Sequence, residues 1–303
     1  MVKKFDKNNS YALLVGVGKR KEDSENMKIT AEDAKYLKIA LAKALKLFKE
    51  NNIIQLINKN ARKKSIITEL ESWVKKTAKK PADLFIVYFS GHGSKIDDKY
   101  YLICNDTTNE DLDNSGLAGD DFVARLKSIQ CNKMLVLLDC CHAEGMSVTH
   151  IPFDEKSFEE IKNRVILTAC AKDQVSYLSK PVSIFTYVLI EGLGGKLLNN
   201  NSKEVNLFNL AMSVRERVVA LSKNIDSENP QQPQLNVLEK SGTTNFVLAI
   251  YPKSGPRPVN FLREELSSLK SFDGKKEIDI DVKSLEHEDY RKKFNWLKLS
   301  VGK

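Results

Sequence analysis

Residues 82–93, ADLFIVYFSGHG, and residues 133–142, KMLVLLDCCH, decide the fold of this chain. Each opens with a short and almost unbroken apolar run, the composition of a strand buried on both faces. Each run then stops at a cluster of reactive or permissive residues: Ser90-Gly91-His92-Gly93 after the first, Asp139-Cys140-Cys141-His142 after the second. Strands buried on both faces belong inside a parallel sheet, and in such sheets chemistry collects where the strands end at their carboxyl edge.

Working outward, the same alternation repeats. Residues 11–15 form an apolar run closed by Gly16 and Gly18, and residues 30–48 follow with Ala34, Leu37, Ala40, Leu41, Ala44 and Leu45 at helical spacing, Thr30 and Glu32 or Asp33 standing at the helix start. A strand over 52–57, a helix over 64–79 that turns Ile66, Leu70 and Trp73 inward, a short helix over 120–129 and a strand over 164–169 come next. Helices over 184–198 and 207–222 and a strand over 244–251 complete the series, with a polar, proline-bearing loop at 226–233. Strands separated by helices of this length need right-handed crossovers. The expected fold is therefore α/β, a three-layer sandwich whose six-stranded, mostly parallel sheet is flanked by helices. Three prolines and a glycine in residues 252–258 cannot continue a regular element, which divides the chain into a main domain, 1–251, and a small C-terminal extension, 252–303, either packed on that domain or regulatory.

Composition narrows the class. Hydrophobic residues make up 42% and charged residues 29%, a globular balance that excludes a disordered chain. The first residues lack a long apolar segment and a small-residue cleavage site, and no stretch of about 20 apolar residues exists to span a bilayer, so a cytoplasmic protein without a membrane partner is expected. Five cysteines, Cys104, Cys131, Cys140, Cys141 and Cys170, form neither a disulfide framework nor a Cys-x-x-Cys metal pattern, which fits a reducing compartment. The formal charge of +8 comes from basic residues scattered along amphipathic helices rather than from an arginine-rich or basic–aromatic tract, and nucleic-acid binding is not expected.

The two strand ends supply a nucleophile and a base. A cysteine is useful when its thiolate is favoured and a neighbouring imidazole can pass a proton to the leaving amine. Cys141 and His92 meet the positional requirement, because neighbouring parallel strands lie roughly 5 Å apart and both residues sit just past their strands. Gly91 and Gly93 allow close backbone approach around His92. Taken singly, a histidine between glycines caps a turn and a cysteine at a strand end is a small buried hydrophobe; the pairing of the two, in a chain with only four histidines, favours catalysis. Cys140 is read as a packed thiol and His142 as a residue that orders its loop.

The run Phe89-Ser90-Gly91-His92-Gly93-Ser94 followed by Leu137-Leu138-Asp139-Cys140-Cys141-His142 resembles the caspase-like cysteine peptidases of clan CD, and within them the prokaryotic metacaspase and orthocaspase branch. Thr30-Ala31-Glu32-Asp33-Ala34, Thr168-Ala169-Cys170-Ala171 and Phe185-Thr186-Tyr187 add weaker likeness, over residues 8–251 in all. The resemblance implies a caspase-like sandwich and a cysteine endopeptidase, with His92 as general base and acid, Cys141 as thioacyl-forming nucleophile, and the N–H groups of Gly93 and Cys141 meeting the oxyanion. It implies further that Asp33, Ser90 and Asp139 line the pocket for the residue before the scissile bond, which selects Arg or Lys in protein or peptide substrates. No cofactor is required for the chemistry. Calcium as an activator is left open: Asp106, Asp120 and Asp121 match calcium-binding positions of the metacaspases, but Ala143-Glu144-Gly145 departs from the pattern after Cys141, which favours a solvated acidic loop with Asp120 near a helix start. The short spacing from Cys141 to Arg164 argues for a single chain without obligatory processing. A monomer is favoured over a dimer, and an activating protein or small molecule would fit an effector of bacterial stress or antiphage signalling. The alternative is an inactive caspase-like scaffold or ligand-responsive binding module.

Overall fold

Strand β3 (Leu84–Ser90) is buried at every position and lies inside the main sheet between β1 (Ser10–Gly16) and β7 (Met134–Asp139), parallel to both. The computed structural model describes residues 5–18, 20, 28–96, 99–140, 149–151, 163–171, 174, 176–177, 182–195, 204–223, 225–237 and 246–251. The extension expected at 252–303, the nucleophile position Cys141 and its neighbour His142 lie outside these residues.

Beyond β1 the sheet ends in β2 (Ile53–Ile57), and beyond β7 it continues through parallel β9 (Arg164–Thr168) to antiparallel β11 (Gln234–Val237) and a three-residue edge strand, β8 (Thr149–Ile151). The five parallel strands are those the apolar runs predict. The sixth strand differs from expectation: Val247–Ile250 (β12) pairs with β10 (Glu204–Asn206) in a separate two-stranded ribbon, and the strand that pairs with β9 in the main sheet is β11. A second small sheet, β4 (Gly93–Ile96), β5 (Lys99–Leu102) and β6 (Leu117–Ala118), follows directly on β3.

Period-two alternation sends the side chains of the sheet into two cores. Ala12, Leu14, Leu84, Ile86, Tyr88, Leu135 and Leu137 pack on one face with α1 (Lys28–Ile39), α5 (Ile184–Leu193) and α6 (Leu207–Ser222). Leu13, Val15, Phe85, Val87, Phe89, Met134 and Val136 pack on the other with α2 (Lys63–Lys79) and α4 (Gly119–Ser128), where Ile66, Leu70 and Trp73 of α2 do point inward. A one-turn helix, α3 (Leu112–Ser115), lies between β5 and β6. The layers are thus helix, sheet, helix. No described helix is long and apolar enough to cross a membrane.

Two helices are shorter than their periodicity suggests. The first gives way at Ala40–Ala44 to a π-helical turn and stops where Lys46 takes a left-handed φ of 53°, so Leu47 and Phe48 return to the core as a loop. The second, α5, ends at Leu193 before Gly194. At the other end, α1 begins at Lys28, which places Asp33 more than a turn inside the helix and not at its start.

Candidate active site

The carboxyl edge of the sheet is built in register. Ile57, Gly16, Ser90 and Asp139 are successive partners across β2, β1, β3 and β7, one row of residues at the strand ends. Ser90 follows Tyr88 by two positions and Asp139 follows Leu137 by two, so both inherit the face occupied by α1 and α5. Polar groups here enter a layer that is otherwise apolar, and each must find a partner.

Asp33 comes to meet them from α1. It does so because α1 approaches β1 closely: a Cβ on Gly16 would stand 2.6 Å from the Thr30 carbonyl oxygen, and only glycine permits that contact. Asp33 is 0% exposed and Asp139 4% exposed. Ser90 donates its hydroxyl to Asp33 Oδ2 at 2.8 Å, and the Ser183 N–H donates to Asp33 Oδ1 at 2.7 Å. Asp139 receives three hydroxyls: Ser176 at 2.6 Å on Oδ1, Thr186 at 3.0 Å on Oδ2, and Ser183 also on Oδ2. Ser183 is the N-cap of α5 and accepts the Thr186 N–H at 3.0 Å, so one residue caps a helix and bridges both carboxyls. Because Thr186 gives its proton to Asp139, Tyr88 is the donor in its 2.6 Å contact with Thr186.

Both carboxyls resist ionisation. Burial, followed by the nearby Asp139 charge, pushes Asp33 well above the ordinary carboxyl range, with the Ser183 N–H and Ser90 hydroxyl opposing. Burial raises Asp139 as well, against the stabilising hydrogen bonds from Ser176, Ser183 and Thr186. Burial and the same two carboxyls hold Tyr88 above its usual value. Among the described residues no Lys or Arg forms a salt bridge with either aspartate.

His92 lies two residues past the Ser90–Asp139 pair, 8% exposed, in the turn between β3 and β4. Its carbonyl accepts the Ile103 N–H at 3.0 Å, and the Gly91 N–H reaches the Asp139 carbonyl at 3.3 Å, so the turn is tied to β7 and to the segment after β5. The close approach expected at Gly91 is present: a Cβ there would meet Phe89 at 3.1 Å and Val17 at 3.2 Å. Gly93, expected to help meet an oxyanion, opens β4 opposite Leu102. Cys140 is packed in the apolar cluster on the opposite face from Asp139, as a thiol in that role would be.

The sequence singles out Asp33, Ser90 and Asp139, and the structure brings these three together. It misses Tyr88, Ser176, Ser183 and Thr186. Of these, Ser183 carried a readable signal, a capping residue immediately before the apolar run 184–190. The three aspartates matched to calcium positions do not gather. Asp106 is exposed and accepts the Lys63 N–H at 2.9 Å at the start of α2, while Asp120 and Asp121 are exposed in the first turn of α4. Among the described residues no group of three or more His, Cys, Asp or Glu could hold a metal ion, so these side chains as arranged do not fit a calcium site.

The three-layer sandwich, a mostly parallel sheet flanked by helices, is the fold of the solved caspases. The chain belongs to the caspase domain family, whose family model matches residues 9–245. It is similar to a paracaspase of Dictyostelium discoideum, 27% identical over 129 residues, a match covering 42% of this chain and 30% of that protein's own length. Solved structures share the fold: caspase-1 of Spodoptera frugiperda at a TM-score of 0.57 and 14% identity, over 82% of this chain and 93% of that one. A protein of Geobacter sulfurreducens aligns at a TM-score of 0.53 and 17% identity, over 82% of this chain and 100% of that one. The Drosophila initiator caspase Dronc follows at 0.51 and 12%, over 78% and 84%.

Proposed function

We propose that this chain is a cysteine endopeptidase that hydrolyses peptide bonds after Arg or Lys, with Cys141 as nucleophile and His92 as general base and then acid. The observation that carries the reading is the Asp33–Asp139 pair, buried at the strand ends, with Ser90 of the same row two residues before His92 and no salt-bridge partner among the described residues. Two carboxyls kept out of water without a cation are unfavourably placed even with hydrogen-bond donors, and a guanidinium or ammonium entering between them supplies the missing charge. An aspartate side chain would add a third negative group to the same pocket.

In the reaction, Cys141 passes its proton to His92 and its sulfur bonds to the carbonyl carbon. The N–H groups of Gly93 and Cys141 receive the oxyanion. The C–N bond breaks as His92 protonates the leaving amine; water, deprotonated by His92, then attacks the thioacyl carbon and frees the thiol. No cofactor enters these steps. The membership in the caspase domain family supports the class, and the strand-end motifs support a prokaryotic metacaspase- or orthocaspase-like enzyme, cytoplasmic and monomeric, switched on by an activating protein or small-molecule signal in stress or antiphage defence.

The test is cleavage of a peptide library by the wild type and by Cys141→Ala, with and without calcium chloride. Cleavage after Arg or Lys that disappears in the variant is the expected result. A preference for Asp overturns the pocket, persistence in the variant overturns the nucleophile, and a wild type that binds these peptides without cutting them is a scaffold. Stimulation by calcium would require ligands other than the three scattered aspartates.

A further inference from the structure

The row of strand-end residues that carries Ser90 and Asp139 runs on through Gly16 to Ile57, and at Ile57 it opens into a cleft of about 770 Å³. The cleft is lined by Arg20, Asn58, Lys59, Arg62, Asn105 and Asp106, together with Ile57 and Asn60. Its lining holds three basic side chains and one acid, in contrast to the carboxyl pair of Asp33 and Asp139. Arg20 is only 4% exposed and donates to Asn109 at 2.9 Å, which holds one guanidinium in the wall. Lys59 and Arg62 are exposed, and neither forms an ion pair among the described residues. The single acid, Asp106, is already engaged by the Lys63 N–H.

The turn that presents these groups is built firmly. Asn58 stands at a φ of 48°, a conformation that costs a non-glycine residue energy, and its side chain accepts the Gly18 N–H at 2.9 Å, tying the end of β2 to the chain after β1. Asn105 is fixed to Ala61 through its N–H at 2.9 Å, and two residues earlier the same segment donates to the His92 carbonyl. The cleft is therefore joined to the candidate catalytic turn by backbone hydrogen bonds.

We propose that this cleft is a second recognition site for the substrate, taking the carboxylate of an Asp or Glu side chain. The proposal rests on the peptidase reading above and deepens it. The row from Ile57 to Ser90 crosses two strand spacings and that to Asp139 three, roughly 10 to 14 Å, which an extended peptide covers in about three or four residues. A substrate that matches both charges carries its basic residue in the Asp33–Asp139 pocket and an acidic residue three or four positions away. Such a two-signed edge rejects peptides that are basic throughout, because a second cation would meet Arg20, Lys59 and Arg62.

The experiment uses paired peptides with Arg at the cleaved position and Glu or Gln three or four residues to either side. With wild-type protein the Glu peptide of one position is expected to show about tenfold higher kcat/KM, mostly through KM, with the ratio falling as salt is raised. In the double variant Lys59→Glu and Arg62→Glu, two exposed positions whose folding is checked by Tm, that ratio is expected to fall to one or reverse. Equal kcat/KM for Glu and Gln at every position, or an unchanged ratio in the double variant, overturns the proposal. Binding of the same fluorescent peptides to Cys141→Ala, read by anisotropy, repeats the comparison without chemistry. If no peptide is cut, the peptidase reading falls, and the cleft still stands or falls on whether the Glu peptide binds more tightly. Inorganic phosphate serves as a competitor: stabilisation of the protein by phosphate without Glu–Gln discrimination marks a site for a free anion and also overturns the proposal.

Discussion

Asp33 does two opposing things, and both can be measured. Its carboxyl is buried beside another carboxyl, which holds its pKa well above the ordinary range. Between the ordinary value and the raised one, the folded protein binds more protons than the unfolded chain, so folding is disfavoured as pH rises through that window and the penalty is full above it. Asp33→Asn removes the penalty. Its Tm at neutral pH is expected to exceed that of the wild type, with the difference shrinking as pH falls toward the ordinary carboxyl range; equal Tm at all pH values would contradict the burial argument. The same substitution removes one partner of the charge pair proposed for a bound Arg, and kcat/KM for Arg peptides is expected to fall at least about 100-fold, the rate equivalent of roughly 3 kcal/mol. A gain in stability joined to a loss in activity distinguishes a binding residue from a structural one. Much of this residue scale was legible: Ser90 and Asp139 end strands whose apolar runs are plain, and Asp33 was legible through resemblance. Ser176, Thr186 and Tyr88 were not, because a hydroxyl in an otherwise ordinary segment shows its partner only when the chain folds.

Helix α1 turns that residue chemistry into geometry. Its register on the sheet is set at Gly16, where a Cβ would also lie 3.0 Å from both the Ala31 Cα and the Ala34 Cβ. Backbone cannot yield as a flexible side chain would, so Gly16→Ala must displace the helix that carries Asp33. The variant is expected to lose about 1–3 kcal/mol in denaturant unfolding and up to about 100-fold in kcat/KM for Arg peptides at a temperature where it remains folded. Unchanged activity in a destabilised protein would mean that the pocket tolerates movement of α1. The start of this helix is hidden in sequence because Met27 and Ile29 are the only apolar residues in the charged and polar run before Thr30, whereas its end is hidden because Leu45, Leu47 and Phe48 stay buried after the helical pattern has broken. Burial without helical hydrogen bonding reads, in one dimension, like more helix.

At the scale of the molecule, five strands and the helices between them could be read from apolar runs, four because strands buried on both faces leave no alternation to confuse with a surface element and the half-buried edge strand β2 because its short run is Ile- and Leu-rich. The sixth could not. Leu235 and Val237 are the only apolar residues of β11, which follows a polar loop and places the buried Asn236 between β9 and β8. The apolar run at Val247–Ile250 looked the better candidate and instead completes a ribbon against β10. What the sheet accomplishes is to align one edge, so that Ile57, Gly16, Ser90 and Asp139 stand in a row with the buried carboxyls of Asp33 and Asp139 toward one end and a basic cleft at the other. The central claim is that this edge delivers a basic side chain to the acidic pocket while Cys141 attacks the adjoining carbonyl. Its most direct measurement is the intact and peptide mass of the folded protein after exposure to two matched peptidyl electrophiles, one ending in Arg and one in citrulline, which has Arg's shape without its charge. A stoichiometric adduct on Cys141 from the Arg probe, with little from the citrulline probe, is the predicted result; equal labelling by both, or an adduct on another cysteine, would contradict the account.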